Sequence, residues 1–183
     1  MYFEKAGKDN TQATLQIAKE EAIRRRIKHI VVASTYGDTG VRMAEMLKDT
    51  GHNLVVVSHN VGFKEAGKGS FEAEKRAQIE SLGGKVLTAT MVLRNVGTAI
   101  REKQGYSQQD LIAHVLRMFG QGMKVCVEIV AMAADAGLIP LGNVVAVAGT
   151  VRGADTAAVL GTNSSNRFFD IKVREILAKP SDF

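Results

Sequence analysis

The chain has 183 residues, the size of one ordinary domain, and its 45% apolar and 23% charged content excludes a disordered or fibrous chain. A (β/α)8 barrel needs about 250 residues, so no barrel enzyme with further domains fits this length. The net charge of +5 suits an acidic partner, but Lys and Arg are dispersed except at Arg24-Arg25-Arg26 with Lys28, and 5% aromatics with no Trp leave few platforms for stacking bases. Nucleic acid is therefore a secondary reading.

From Thr11 to Ile27 the apolar positions Leu15, Ala18, Ala22, Ile23 and Ile27 share one helix face, with Asn10 or Thr11 placed to cap the start. That helix, ahead of the first strand, also offers a packing surface for a homo-oligomer. His29–Ala33 is a short β-branched run that predicts a buried strand, and a helix over Thr39–Thr50 ends at Gly51. A second strand over Asn53–Ser58, a helix over Phe71–Leu82 stopped by Gly83-Gly84, and a third strand over Lys85–Thr88 follow. The segment Ala89–Gly105 carries no clear period. Ser107, with Asp110 three residues later, resembles a helix start, and helical spacing continues over Gln108–Phe119 and Gln121–Ala136. Asn143–Ala148 predicts a fourth buried strand and Ala157–Leu160 a fifth, while Phe169, Ile171 and Val173 alternate like a half-buried strand. Near-continuous apolar strands alternating with helices predict a mostly parallel sheet covered on both faces, a three-layer α/β fold. No linker or repeat divides the chain, so a single domain over residues 1–183 is expected.

Cys126 stands alone in an apolar stretch, which fits a reduced compartment and a packing role rather than a nucleophile. The opening segment MYFEKAGKDN lacks the apolar core of a signal peptide, and no apolar run reaches the ~18 residues of a membrane span, so a cytoplasmic protein is expected. The four histidines, His29, His52, His59 and His114, form no metal spacing, and the G-x-S-x-G elbow of serine hydrolases is absent; no metal is expected.

Open parallel sheets bind ligands beyond the carboxyl ends of their strands, so three loops are candidates. Ser34-Thr35-Tyr36-Gly37-Asp38-Thr39-Gly40 follows the first strand and opens a helix. Its glycines, hydroxyls and helix N-terminus favour a phosphate, although it matches neither the P-loop nor the full dinucleotide fingerprint, and an ordinary turn capped by Ser34 or Asp38 is the alternative. Gly149-Thr150-Val151-Arg152-Gly153-Ala154-Asp155-Thr156 follows the fourth strand. There Arg152 can neutralise an anion, and Asp155 is either a turn residue or a ligand contact. Ser58-His59-Asn60-Val61-Gly62-Phe63 follows the second, where His59 can hydrogen-bond a ligand and Phe63 can lie on a planar ring or belong to the core. Glu128 stands among Val125, Val127, Ile129 and Val130, where a carboxylate needs a partner. Lys124 can supply it along the helix, or Glu128 accepts hydrogen bonds from a ligand or from loop amides.

The segments ASTYGDT, SHNVGF, LRMFGQGMKVCVEIVAMAADAGLIP and AGTVRGADTA resemble the stand-alone pyruvate kinase C-terminal-domain-like proteins, mostly archaeal, over nearly the whole chain. The resemblance implies a doubly wound sheet of 3-2-1-4-5 order and bound flavin mononucleotide (FMN), which makes a flavin-dependent oxidoreductase one expectation. It does not imply pyruvate kinase activity, because the kinase's barrel and its ligands have no counterpart here. Carried onto this sequence, it implies that Ser34, Thr35, Gly37, Asp38, Thr39 and Gly40 hold the phosphate. Gly149, Thr150, Gly153, Ala154, Asp155 and Thr156, with His59, Gly62 and Phe63, would enclose the ribityl chain and ring. A carboxylate repels a phosphate dianion, so Asp38 is expected to turn toward a ribityl hydroxyl or backbone amides. The alternative expectation is a non-catalytic sensor of a phosphorylated metabolite such as a sugar phosphate.

Overall fold

The computed structural model describes Met1–Phe183. Its strands are β1 (Tyr2–Lys5), β2 (His29–Ala33), β3 (Asn53–Ser58), β4 (Lys85–Thr88), β5 (Asn143–Ala148), β6 (Thr156–Gly161) and β7 (Lys172–Asp182). The helices are α1 (Thr11–Arg24), α2 (Asp38–Leu47), α3 (Ala73–Ser81), α4 (Asn95–Gln104), α5 (Gln108–Arg117) and α6 (Gln121–Asp135). One seven-stranded sheet runs β1-β7-β6-β5-β2-β3-β4. Read from the β4 edge, the five expected strands stand in the order 3-2-1-4-5, and β7 and β1 extend the sheet beyond them. β4, β3, β2 and β5 are mutually parallel, whereas β6 runs antiparallel to both β5 and β7, so the sheet is mixed.

The alternation of side chains along each strand builds two cores. Ile30 and Val32, Leu54 and Val56, and Val145 and Val147 face α1, α2 and α3 on one side. Val31, Val55 and Val57, with Val144, Ala146 and Leu160, face α6 on the other. Both faces are covered, and each fully buried aliphatic side chain contributes about 1.5–3 kcal/mol. α2 follows β2 on the face that α1 also covers, whereas β5 is followed by a short loop to the antiparallel β6, and these two loops stand side by side at the C-terminal ends of the neighbouring β2 and β5.

Four local differences from the sequence reading have physical causes. Helix α1 ends at Arg24, not Ile27: Arg26 takes a left-handed φ of 56°, while its N–H bonds the Ile23 carbonyl and that of Ile27 bonds Ala22, which closes a Schellman turn without the usual glycine. Neither Asn10 nor Thr11 caps the start of α1; they bond Lys5 and Lys8 carbonyls through their side chains. Phe169 lies in a short 3₁₀ segment, Ser165–Asp170, and is exposed; the last strand begins only at Lys172 and runs to Asp182. The opening residues, which carry no periodic signal, form β1 because β7 offers them a parallel edge. Ser107 does cap α5, accepting the Asp110 N–H at 3.2 Å.

Candidate functional site

A cavity of about 750 Å³ opens where the loops after β2 and β5 face each other, within the usual range for a small-molecule site. Ser34, Thr35, Asp38, Thr39, His59, Phe63, Gly149 and Gly153, of the residues expected at a ligand, line it. Four basic side chains, Lys8, Arg42, Arg94 and Arg152, share the wall with two acidic ones, Asp9 and Asp38. None of the four is committed to a salt bridge, whereas Asp38 is held by Lys75 at 2.6 Å. The field inside therefore favours an anion.

The end beside α2 is the most strongly built for one. Ser34 is buried, and its hydroxyl accepts the N–H groups of Gly37 at 3.2 Å and Gly40 at 3.3 Å, so it caps the helix from inside the loop. The N–H groups of Thr35, Tyr36 and Thr39 find no acceptor in the chain, and the positive end of the helix dipole adds to them. Arg42 stands one turn along the same helix from Thr39, and Arg152 reaches from the opposite loop to lie 5.3 Å from the centre of the Tyr36 ring. Lys64 also hydrogen-bonds the Tyr36 hydroxyl and, with its charge, pulls the phenol below its ordinary pKa. The Asp38 carboxylate does turn aside, but to Lys75 rather than to amides; that hydrogen bond lowers its pKa and neutralises the charge that would oppose an anion.

Several expected residues build the walls without reaching the cavity. Gly37 supplies the left-handed φ of 111° that lets the loop enter α2. Gly40 is pressed against Val56 and Ile79, where any Cβ would come within 2.7 Å of the valine. Gly62 bends the β3 loop, its N–H bonded to the Lys68 carbonyl. Asp155 is fully buried: its carboxylate accepts the N–H of Gly7 at 3.0 Å, the N–H of Thr150 at 3.1 Å and the hydroxyl of Thr156 at 2.8 Å, which makes it a clamp for the loop rather than a ligand contact. Thr156 is consumed in that clamp, and the Ala154 N–H in a bond to the Thr11 hydroxyl. Thr150 leaves its hydroxyl buried without a partner but outside the lining. Glu128 lies deeper, its carboxylate taking both Lys124 and, at 2.8 Å, the N–H of Leu93. The two accounts of Glu128, helix pairing and loop amide, hold together.

The far end is carried by rings. His59 stacks against Phe63 with ring centres 3.9 Å apart, and the Arg94 guanidinium lies 4.7 Å from the centre of the Phe63 ring. Burial, reinforced by Arg94, holds the His59 imidazole below its ordinary pKa, and its Nδ1 is buried without a partner.

Lys8, Thr11, Gln12, Arg42, Arg94 and Gln121 also line the cavity, and the sequence marked none of them as a site residue. Arg42 had a signal, its helical spacing of three from Thr39. The Lys8–Gln12 wall had none, because it is fixed by the β1–β7 pairing and by Gly153, whose positive φ and bare Cα admit Lys8 and Thr11.

No protein-family profile matches the chain. Among solved structures it is similar to a pyruvate kinase from Cryptosporidium parvum, with 13% identity over 84% of this chain and 23% of that one at a TM-score of 0.46. A complex of Cryptosporidium parvum pyruvate kinase with ADP gives 13% identity over 84% and 24% at a TM-score of 0.44. An O-ureido-L-serine synthase gives 18% over 54% and 31% at 0.33. This chain thus spans about a quarter of the length of the pyruvate kinase chains it matches. At these levels the likeness carries nothing about the cavity.

Proposed function

We propose that the protein binds a phosphate-ended small molecule in this cavity, with FMN as its ligand. The observation that carries the reading is the juxtaposition, across one cavity, of the free N–H groups at the start of α2 with the unpaired Arg42 and Arg152. Thr35, Thr39, Arg42 and Arg152 would hold the phosphate, the loop Gly149–Gly153 would flank the ribityl chain, and Phe63 with His59 would take the ring. The phosphate end fits this assignment. The ring end fits once Arg94 leaves the face of Phe63, and Arg94 is an exposed side chain free to do so. A bound flavin would supply hydride or electron transfer. The chain's own part is to neutralise the phosphate, to orient the ring and to keep the neutral His59 at its edge.

A sugar phosphate is the second reading, favoured by the polar wall: of twenty lining residues only five are apolar. The test is the visible absorbance and fluorescence of freshly purified protein, followed by titration with FMN, riboflavin and a sugar phosphate. FMN bound far more tightly than riboflavin supports the proposal. Colourless protein that ignores FMN but gains melting temperature with sugar phosphate replaces it with the second reading, and response to neither overturns both.

A further inference from the structure

Beneath the cavity, where the first turns of α6 pass the ends of β2 and β3, lies a recess of about 80 Å³. Its walls hold Lys124 and Glu128, exposed by only 3% and 1% and joined as an ion pair. Burying two charges costs more than their attraction returns unless the remaining donors and acceptors are also satisfied. Glu128 meets that condition, each oxygen having its own donor. Lys124 does not: one of the three N–H groups of its ammonium reaches Glu128, and no other acceptor in the chain takes the rest. Arg94, in the same wall, makes no ion pair and only overlies Phe63. The unpartnered Nδ1 of His59 belongs to this wall too.

Lys124 and Arg94 against Glu128 leave the recess one cation in excess: burial draws the Lys124 ammonium below its ordinary pKa while the adjoining Glu128 opposes that, and burial keeps His59 toward its neutral form. A monoanion balances it, whereas a dianion would press against Glu128. Liquid water takes about 30 Å³ per molecule, so the recess holds the equivalent of two or three waters, which restricts an acid there to one or two carbons. Met91, Ile129 and Met132 line the rest with apolar surface. We propose that the recess is a subsite for a short-chain monocarboxylic acid, its carboxylate held by Lys124 and Arg94 beneath the ligand of the main cavity. The proposal goes beyond the reading above and stands whichever phosphorylated ligand lies over it.

The test uses the full chain with isotope-labelled methionine methyls, since Met91 and Met132 report from the wall. Acetate and formate are expected to shift both methyls saturably, and acetamide, the neutral analogue of the same shape as acetate, to leave them unmoved. Inorganic phosphate is expected to act on them only weakly. No saturable shift with either acid, or equal shifts with acetamide or phosphate, overturns the proposal. The double variant Lys124→Met/Glu128→Leu removes both charges together and should weaken acetate binding by roughly tenfold or more, the loss of one charge-assisted hydrogen bond. Unchanged affinity overturns the proposal. Should the double variant fail to fold, Arg94→Gln, altered at an exposed side chain, must show the same weakening. FMN is titrated alongside: lost flavin binding with intact acetate binding fails the main-cavity reading alone, and the reverse fails the subsite alone.

Discussion

Val151 is a β-branched residue held at a φ of 61° and almost fully exposed, on a loop where the Arg152 N–H bonds the Thr150 carbonyl two residues back. Such a tight turn costs a non-glycine residue about 1–3 kcal/mol, and here the strain aims Arg152 at the cavity. Val151→Gly is expected to raise stability by about 1 kcal/mol in urea unfolding while weakening phosphate-ligand binding, because Arg152 loses its fixed base. Asp155 lies at the opposite extreme. With three donors converging on a fully buried carboxylate, Asp155→Ala strands two backbone N–H groups and a hydroxyl, and a loss of about 3 kcal/mol or more is expected in the same measurement. The sequence left Asp155 open between turn residue and ligand contact; only the approach of Gly7, 148 positions away, decides for the clamp.

Helix α1 carries the clearest defect at the level of elements. Its Schellman turn places Arg26 where glycine is normally found, and Arg26 forms no ion pair to compensate. Arg26→Gly should add about 0.5–1 kcal/mol, read as a shifted denaturant midpoint with unchanged slope. Helix α6 offers the converse. Lys124→Met alone leaves Glu128 charged and buried and should cost about 3–5 kcal/mol, while the added Glu128→Leu should restore part of it, less about 1–3 kcal/mol for the Leu93 N–H it strands. The strands β2 to β6 and the helices other than α4 were legible because their apolar periods are short-range properties of HIVVA, NLVVVS or the α6 face. The segment holding α4 was not, since only Gly97 of that helix is buried and no stripe forms. That the loop after β2 would line a cavity was legible from its glycines and hydroxyls and its place at a strand end. Arg94 and Lys8 were not, because their places depend on which loops the sheet order brings together.

Across the whole molecule, His29, His52 and His59 all have pKa values lowered from the ordinary 6.5, each chiefly by burial and next by nearby Arg or Lys. The unfolded chain therefore takes up protons on these rings before the folded one does, and stability must fall as pH drops through that region. The melting temperature is expected to decline between neutrality and about pH 5, before Glu21, held at about 2 by Arg24 and Arg25, begins to titrate. His59→Asn should flatten the slope, and a profile level over that span would contradict the burial of these rings. The sheet itself imposes an order of assembly. β1 has β7 as its one neighbour, and the Lys8–Gln12 wall of the cavity hangs from that pairing. A nascent chain folds from its N-terminus forward, yet β1 stays unpaired until β7, far along the chain, has been made. The Lys8–Gln12 wall therefore closes only after β7 docks, so a molecule of the kind proposed for the cavity would meet a whole sheet and never a half-built one.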